Sequence, residues 1–382
     1  MGGGPDKEQL LIALWDPEPV DFTSEIKRRF PYVDINYVQI PPPSSASWKQ
    51  AIADAANAVP TEAFQSATLL ITLTALPPNK EAAPNLKLIH LFSAGIDSWV
   101  DHPIVKDSDI AITTSSGIHG PPITEWIILT SLVASKHYNL QHQWQVDHAW
   151  GPDRRSLSGT TDWVGKRVGI AGYGSIGRQA ARVFSALGAS IHAYTASPRS
   201  TPESRKDAGY WVPGTGDPDG TIPAAWYSGT TKESLHTFLS SGLDALLIAL
   251  PLTPSTRHLF GKEEFALLAA PAADSPAAAT RKKGTKGGFV INVARGPILD
   301  QAALVAALND ETLSGAALDV ADPEPLPKDD PLWDAKNVII TPHVSSLGVE
   351  YFDRAYDLWI TNWARHEKGE PLFNLVQRKR GY

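Results

Sequence analysis

The feature that most constrains this chain is a glycine-rich turn between an apolar run and a helical pattern. The Val/Ile-rich run at residues 167–171 leads into Gly172-Tyr173-Gly174-Ser175-Ile176-Gly177, and an amphipathic stretch follows from Arg178. Glycines at this spacing allow a tight turn, close approach to a pyrophosphate and helix-on-strand packing, while the helix N-terminus offers N–H groups to phosphates. With the next apolar run at 190–194, the motif predicts a dinucleotide-binding strand–helix–strand unit.

The residues after that second strand bear on which dinucleotide binds. NAD sites carry an Asp or Glu about 20 residues after the glycines, where it binds the ribose hydroxyls. This chain instead has Thr195-Ala196-Ser197-Pro198-Arg199, two hydroxyls and a guanidinium that suits a phosphate. We therefore predict a preference for NADP(H), with NAD(H) as the alternative if Arg199 is only a solvated side chain on a surface loop.

Composition excludes several kinds of protein. The chain has no cysteine, which excludes disulfides, thiolate catalysis and cysteine-ligated metals. Its formal net charge of −7 argues against a broad nucleic-acid surface. It has no apolar run of about 18 residues and no charged-then-apolar leader, so neither a membrane span nor a secretory signal is predicted. We expect a cytoplasmic protein that binds neither nucleic acid nor membrane and holds no metal.

The order of apolar runs predicts two domains. Short apolar runs alternate with helical patterns, near residues 10–14, 35–38, 68–72, 88–92 and 110–113, and again near 168, 191, 246–248, 289–291, 316–318 and 338–340. Such alternation is typical of parallel sheets covered on both faces. We predict an α/β fold of two doubly wound, Rossmann-like domains with an interdomain active-site cleft. Residues 1–124 plus 346–382 would bind substrate, and residues 125–345 would bind the dinucleotide.

Four segments lie outside this alternation. A helical pattern from Ile123 to about Gln143 is expected to link the domains, and a helix around residues 350–366 is expected to return to the first one. A Gly/Pro-rich segment at residues 200–227 and an Ala/Pro-rich segment at 269–280 are expected to be loop insertions on the scaffold.

Three further motifs follow predicted strands of the second domain. Residues 292–296, 319–325 and 341–343 each carry one side chain suited to acid–base or anion chemistry: Arg295, Glu324 and His343. Because open α/β sheets bind ligands at the carboxyl ends of their strands, these three are expected to converge on one crevice. Taken singly, each has a structural alternative: a surface ion pair, a loop carboxylate, or a histidine bound to a backbone carbonyl.

With these motifs, the sequence resembles the D-isomer-specific 2-hydroxyacid dehydrogenases over nearly its whole length, apart from the two insertions. The glycine motif and the three strand-end motifs match, as does Leu250-Pro251-Leu252-Thr253-Pro254-Ser255-Thr256. Residues 91–97 look like the family's substrate loop, and residues 117–125 look like its hinge entry. The run at 322–327, followed by Asp330-Pro331-Leu332, is especially similar to glyoxylate and hydroxypyruvate reductases.

The resemblance implies roles for individual residues. Arg295 would hold the carboxylate of a 2-keto acid and polarise its carbonyl, aided by Ser93, Ala94 and Gly95 of the substrate loop. His343 would donate a proton to the alkoxide, and Glu324 would bind the other imidazole nitrogen and favour the protonated form. The implied cofactor-binding residues are Gly172, Gly174, Ser175, Ile176, Gly177, Thr195, Ser197, Arg199, Leu250, Pro251, Thr256, Val293, Ala294, Asp319 and His343.

The family also implies an activity and an assembly. The expected activity is NADPH-dependent reduction of glyoxylate, hydroxypyruvate or a bulkier 2-keto acid to the D-2-hydroxy acid, with Leu91, Phe92, Ile96 and Trp99 near the substrate's side chain. A homodimer through the cofactor domain is expected, in which Trp144 and Trp150 pack on the partner or on their own chain. The alternatives are a dinucleotide-sensing, corepressor-like scaffold, or a phosphite or formate dehydrogenase. Formate dehydrogenases place Gln beside the histidine, so Glu324 argues against that activity.

Overall fold

The computed structural model describes residues 7–42, 48–270 and 287–378, and the chain divides into two compact units. The first contains residues 1–118 and 349–382, and the second contains residues 119–348. The predicted division at residue 124 falls inside a helix that begins at Gly120. The predicted insertion at 269–280 lies, from residue 271 onward, outside the described residues.

The first unit is built on a five-stranded parallel sheet of order β2-β1-β3-β4-β5. Its strands are β1 Glu8–Leu14, β2 Val33–Gln39, β3 Leu69–Thr72, β4 Leu88–Leu91 and β5 Ala111–Thr114. The connecting helices are α1 Val20–Arg29, α2 Trp48–Ala58, α3 Thr61–Ser66 and α4 Pro103–Lys106. Because helices cover both faces, the central strands are buried almost throughout, and all five predicted strands are confirmed.

The second unit is built on a seven-stranded parallel sheet of order β12-β11-β10-β9-β6-β7-β8. Its strands are β6 Arg167–Ala171, β7 Ser190–Thr195, β8 Ala225–Ser228, β9 Ala245–Ile248, β10 Phe289–Asn292, β11 Gly315–Leu318 and β12 Val338–Ile340. Its helices are α5 Gly120–Ser135, α6 Tyr138–Val146, α7 Ser175–Ala186, α8 Pro202–Arg205, α9 Lys232–Leu239, α10 Lys262–Ala269 and α11 Gln301–Asn309. The strand order reverses between β6 and β9, which is where sheets of this kind bind ligands.

Two predictions about this unit are wrong. The single helix expected from Ile123 to Gln143 is divided into α5 and α6 at His137, whose φ of 53° is left-handed. The Ser135 carbonyl accepts from the distant Thr161 N–H at 3.1 Å, which local sequence does not reveal. The segment expected to be a loop at 200–227 contains α8 and most of β8, an edge strand that pairs with β7.

The chain then returns to the first unit through α12, Tyr351–Glu367, as predicted. Its buried face carries aromatic side chains, and Tyr356 stacks on Phe22 of α1 with ring centroids 4.1 Å apart. Tyr356 also contacts Phe92, at 5.0 Å between centroids. Among the described residues, no helix is long and apolar enough to cross a membrane.

His90 is a polar side chain in the core of the first unit. It is completely buried on β4, with Nδ1 2.8 Å from Thr113 Oγ1 and Nε2 3.2 Å from Ser115 Oγ. Burial lowers the pKa of His90 to about 3, against a smaller opposing contribution from a backbone hydrogen bond with Ala355. The imidazole is therefore neutral in the folded protein at neutral pH.

This burial predicts acid sensitivity. The unfolded His90 binds a proton near its ordinary pKa of 6.5, whereas the folded one does so only near 3. Its contribution to stability is therefore complete above pH 6.5 and is lost as the pH falls toward 3. We expect the free energy of unfolding to drop by about 2 kcal/mol between pH 7.5 and pH 5 from this group alone. Urea unfolding of the wild type and of His90→Asn measures it, and an equal pH slope in the two proteins would refute it.

Candidate active site

The glycine turn lies between β6 and α7, and its three glycines have different surroundings. A Cβ on Gly172, whose φ is +98°, would lie 2.4 Å from the Ala249 carbonyl oxygen, and one on Gly177 would lie 2.2 Å from the Gly172 carbonyl oxygen. Packing within the chain thus requires glycine at both positions. A Cβ on Gly174, the residue that caps α7, would meet no atom of the described residues within 4 Å. The open space beside it fits the close approach of a pyrophosphate to a helix N-terminus.

The other predicted cofactor residues surround this turn or follow neighbouring strands. The loop after β9 approaches Gly172 at the Leu250 N–H, and it is closed by the Thr256 hydroxyl, which donates to the Pro251 carbonyl at 2.7 Å. Val293 and Ala294 follow β10 and are buried. After β7, the Thr195 hydroxyl donates to the Ser197 carbonyl at 2.8 Å, so Thr195 stabilises its own turn.

His343 and Glu324 form a hydrogen-bonded pair. His343 Nδ1 lies 2.9 Å from Glu324 Oε2, and the other carboxylate oxygen accepts from the Ala321 N–H at 3.0 Å. Burial by itself would raise the pKa of Glu324, but the hydrogen bond and charge of His343, the Ala321 N–H and the charge of Arg295 together hold it below its ordinary value. Glu324 is therefore a carboxylate near neutral pH, and Nε2 is the nitrogen left for a ligand.

Asp319 holds the backbone of the His343 loop. Its carboxylate is buried and accepts from the Thr341 hydroxyl at 2.6 Å and from the Val344 and Ser345 N–H groups at 2.9 Å. The His343 N–H donates to the Asp319 carbonyl at 2.8 Å, and His343 itself has a left-handed φ of 56°. The sequence predicts only a cofactor role for Asp319, because these loop hydrogen bonds have no local sequence signal.

Arg295 lies in a turn after β10 that contacts the segment leading to Glu324. The fully buried Asn292 closes this turn, since its amide donates to the Arg295 carbonyl at 3.1 Å and its oxygen accepts from the Ala294 N–H at 3.0 Å. A Cβ on Gly296 would lie only 1.9 Å from the Ala321 carbonyl oxygen. The glycine after Arg295 thus permits the close approach that brings the guanidinium charge to Glu324. The structure therefore brings His343 and Glu324 into contact and places Arg295 close enough for its charge to act on the Glu324 carboxylate.

The predicted substrate loop lies in the first unit, after β4. The Ser93 hydroxyl donates to the Gly95 carbonyl at 2.7 Å. Ala94, Gly95 and Ile96 line a pocket of about 220 Å³ together with residues 374–377. Leu91, Phe92 and Trp99 are buried in the same unit and are not among the residues that line this pocket.

A family model and a sequence relative point to the same class of enzyme. Residues 128–213 and 218–345 match the family "D-isomer specific 2-hydroxyacid dehydrogenase, NAD binding domain". A glyoxylate reductase from Thermofilum pendens is 30% identical over 303 residues, which is 78% of this chain and 77% of the relative.

Solved structures show the same fold. A D-isomer specific 2-hydroxyacid dehydrogenase from Xanthobacter autotrophicus, in complex with NADPH and MES, has a TM-score of 0.68 and 24% identity, over 98% of this chain and 100% of that one. An NADPH-dependent glyoxylate/hydroxypyruvate reductase from Sinorhizobium meliloti, in complex with NADP and sulfate, has a TM-score of 0.67 and 22% identity, over the same shares of the two chains.

Proposed function

The chain belongs to the D-isomer-specific 2-hydroxyacid dehydrogenase family, and from this premise we propose that it reduces a 2-keto acid to the D-2-hydroxy acid with NADPH. As a family member it is an NAD(P)-dependent oxidoreductase. The observation that carries the proposed chemistry is the 2.9 Å contact between His343 and Glu324, with Arg295 acting on the same carboxylate. Reduction of a keto acid requires a group that binds its carboxylate, a proton donor, and a group that orients the donor. A guanidinium, an imidazole and a carboxylate at neighbouring strand ends can meet these three requirements.

The three side chains have distinct roles in this reaction. The glycine turn would hold the pyrophosphate of a nicotinamide dinucleotide, which would supply the hydride for C2 of the keto acid. The Arg295 guanidinium binds the substrate carboxylate and polarises the carbonyl through charge-assisted hydrogen bonds. His343 donates the proton on Nε2 to the oxygen as it becomes an alkoxide, and it takes that proton back in the reverse reaction. Glu324 accepts from Nδ1, fixes the ring orientation and stabilises its positive charge.

The preference for NADPH is supported by the turn after β7. Residues 195–199 offer no carboxylate to the ribose hydroxyls or against a 2′-phosphate, and Arg199 contributes a guanidinium there. Small 2-keto acids such as glyoxylate and hydroxypyruvate are the proposed first substrates, since the T. pendens relative is named a glyoxylate reductase.

The test is the oxidation of NADPH and NADH by the purified protein with glyoxylate, hydroxypyruvate and bulkier 2-keto acids. We expect turnover with a 2-keto acid, and a KM for NADPH at least about tenfold below that for NADH. Equal or lower KM for NADH would refute the cofactor preference. Tight binding of NADPH without turnover of any 2-keto acid would refute the reaction and favour a sensing role.

Loss of the Asp319 carboxylate is expected to disturb both stability and turnover. Asp319→Ala leaves three donors without their acceptor, so we expect the free energy of unfolding to fall by about 3 kcal/mol and kcat to fall at least about tenfold. Asp319→Asn keeps one acceptor oxygen and serves as the milder variant. Urea unfolding and steady-state kinetics measure the two effects, and wild-type behaviour of Asp319→Ala in both would show that the carboxylate does not hold the His343 loop.

The exposed apolar side chains around α6 support a homodimer through the cofactor domain. No side chain of α6 is buried, Trp150 is 93% exposed, and Leu129 and Val146 are also exposed. We propose that a second copy of the chain covers this surface. Sedimentation is expected to give twice the mass of the chain. Val146→Asp should yield monomer, whereas Val20→Asp, at an exposed position of the first unit, should not. A monomeric wild type would contradict the proposal.

A further inference from the structure

The second unit contains a pocket along β8, the edge strand of its sheet. The pocket has a volume of about 340 Å³ and is lined by residues 198–200, Arg205 and residues 223–228. Its size lies at the lower end of the range for small-molecule sites, roughly 300–1,000 Å³. One wall is formed by residues 198–200 and Arg205, at and after the turn at residues 195–199 that is predicted to bind a 2′-phosphate. Another wall is β8, which the sequence predicts to be part of a loop.

Two guanidinium groups line this pocket, those of Arg199 and Arg205. Arg199 Nη1 donates to the Ser204 carbonyl, and Arg205 Nε donates to the Arg199 carbonyl at 2.9 Å. Among the described residues, no carboxylate oxygen lies within 4.0 Å of either guanidinium. Because backbone carbonyls do not neutralise a full positive charge, both arginines retain the capacity to bind an anion.

Other polar groups of the pocket wall are donors as well. The Nε–H of Arg199 and the indole N–H of Trp226 are buried, and the part of the chain that the structure describes offers neither of them an acceptor. The Arg205 guanidinium lies over the Trp226 ring, 5.8 Å from its centroid, which restricts the side chain to this wall. A surplus of donors and positive charge suits a ligand with several acceptor oxygens and negative charge, which is the chemistry of a phosphate monoester.

The backbone of Arg205 is tied to the helix that begins in the glycine turn. Arg178 directly follows Gly177 and is only 3% exposed. Its Nη2 donates to the Arg205 carbonyl at 2.7 Å, its Nη1 donates to the Asp217 carbonyl, and its Nε lies 3.4 Å from Asp207 Oδ2. The segment that carries Arg205 is therefore anchored to α7, the helix whose N-terminus is expected to face the pyrophosphate.

We propose that Arg205 is a further cofactor-specificity residue, which binds, together with Arg199, the phosphate monoester on the adenosine ribose of NADP(H). This inference rests on the proposed use of NADP(H). The ribose of a bound dinucleotide lies at the end of the second strand of its unit, here at Thr195, and the chain then leads directly through Arg199 to Arg205. Two planar guanidiniums can each bind a phosphate through two hydrogen bonds.

The test compares ligands that differ in this phosphate. Isothermal titration of 2′,5′-ADP and fluorescence titration of NADPH and NADH are carried out with the wild type, Arg205→Gln and Arg205→Lys. We expect Arg205→Gln to raise the Kd of NADPH and of 2′,5′-ADP by about 10- to 100-fold and that of NADH by less than about twofold. Arg205→Lys should restore part of the affinity, because it keeps the charge but not the planar fork.

The matched control is Arg182→Gln, on the exposed side of α7, which should bind all three ligands like the wild type. If Arg205→Gln weakens NADPH and NADH equally, or neither of them, the assignment of Arg205 is wrong. If that variant lacks the wild-type circular dichroism spectrum, the comparison rests on Arg205→Lys, where an unchanged ratio of the two Kd values overturns the assignment. A wild type that binds NADH more tightly than NADPH refutes the proposed cofactor itself, which distinguishes the two failures.

Discussion

His343→Asn is expected to lower kcat by about 10²- to 10⁴-fold while the KM for NADPH changes little, because the variant removes the proton donor and leaves the glycine turn intact. Asparagine is the replacement of choice, since it tolerates the left-handed backbone that His343 adopts at φ 56°. The loop held by Asp319 should therefore keep its conformation. Steady-state kinetics with NADPH and the best 2-keto acid measures the effect.

Glu324→Gln is the matched comparison for this prediction. The amide keeps a hydrogen-bond acceptor beside Nδ1 but removes the charge that stabilises the imidazolium, so we expect an intermediate loss of kcat, about tenfold. Wild-type kcat in His343→Asn would show that His343 donates no proton in the rate-limiting step. A loss in Glu324→Gln that exceeds the loss in His343→Asn would show that Glu324 does more than orient the imidazole.

Arg295→Gln is expected to lower kcat/KM for the 2-keto acid by about 10³-fold, equivalent to about 4 kcal/mol of transition-state stabilisation. The reason is that the charged guanidinium both binds the substrate carboxylate and polarises the carbonyl. The glutamine side chain is neutral and cannot make either charge-assisted interaction. Arg295→Lys keeps the charge without the planar fork and should lose less. The KM for NADPH is the internal control and should stay within about twofold in both variants.

An unchanged kcat/KM for the 2-keto acid in Arg295→Gln would remove Arg295 from substrate binding. A rise in the KM for NADPH that matches the loss in kcat/KM would instead show that the arginine turn acts on the cofactor. Asn292 and Gly296 are left unchanged in these variants, so the turn that carries residue 295 should keep the two hydrogen bonds that the Asn292 side chain makes with its backbone.

The position of Arg295, Glu324 and His343 at one edge of the second sheet could be predicted from the sequence, because each lies three to six residues after a short apolar strand. Parallel strands covered on both faces leave near-continuous apolar runs, and their carboxyl ends lie on one edge of the sheet, so position along the chain predicts position in space. The three glycines of the turn could be predicted for the same reason. What could not be predicted depends on contacts between distant segments.

The unpredicted features have specific physical causes. The four-residue strand β8 depends on pairing with β7 after a long Gly/Pro-rich segment, which no local pattern shows. The helix break at His137 lies beside the Ser135 carbonyl, which accepts a hydrogen bond from the distant Thr161 N–H. The role of Asp319 in the His343 loop and the position of Arg205 beside Arg199 likewise depend on tertiary hydrogen bonds. In each case tertiary contact overrides or adds to local preference.

The most direct test of the proposed reaction follows the hydride. The protein is supplied with hydroxypyruvate and NADPH that carries deuterium at the transferable position of the nicotinamide, and the product is analysed by mass spectrometry and chiral chromatography. The expected product is D-glycerate with one deuterium at C2, and the His343→Asn variant is expected to form none of it within the time of wild-type turnover. Unlabelled or L-configured glycerate formed by the wild-type protein would contradict it.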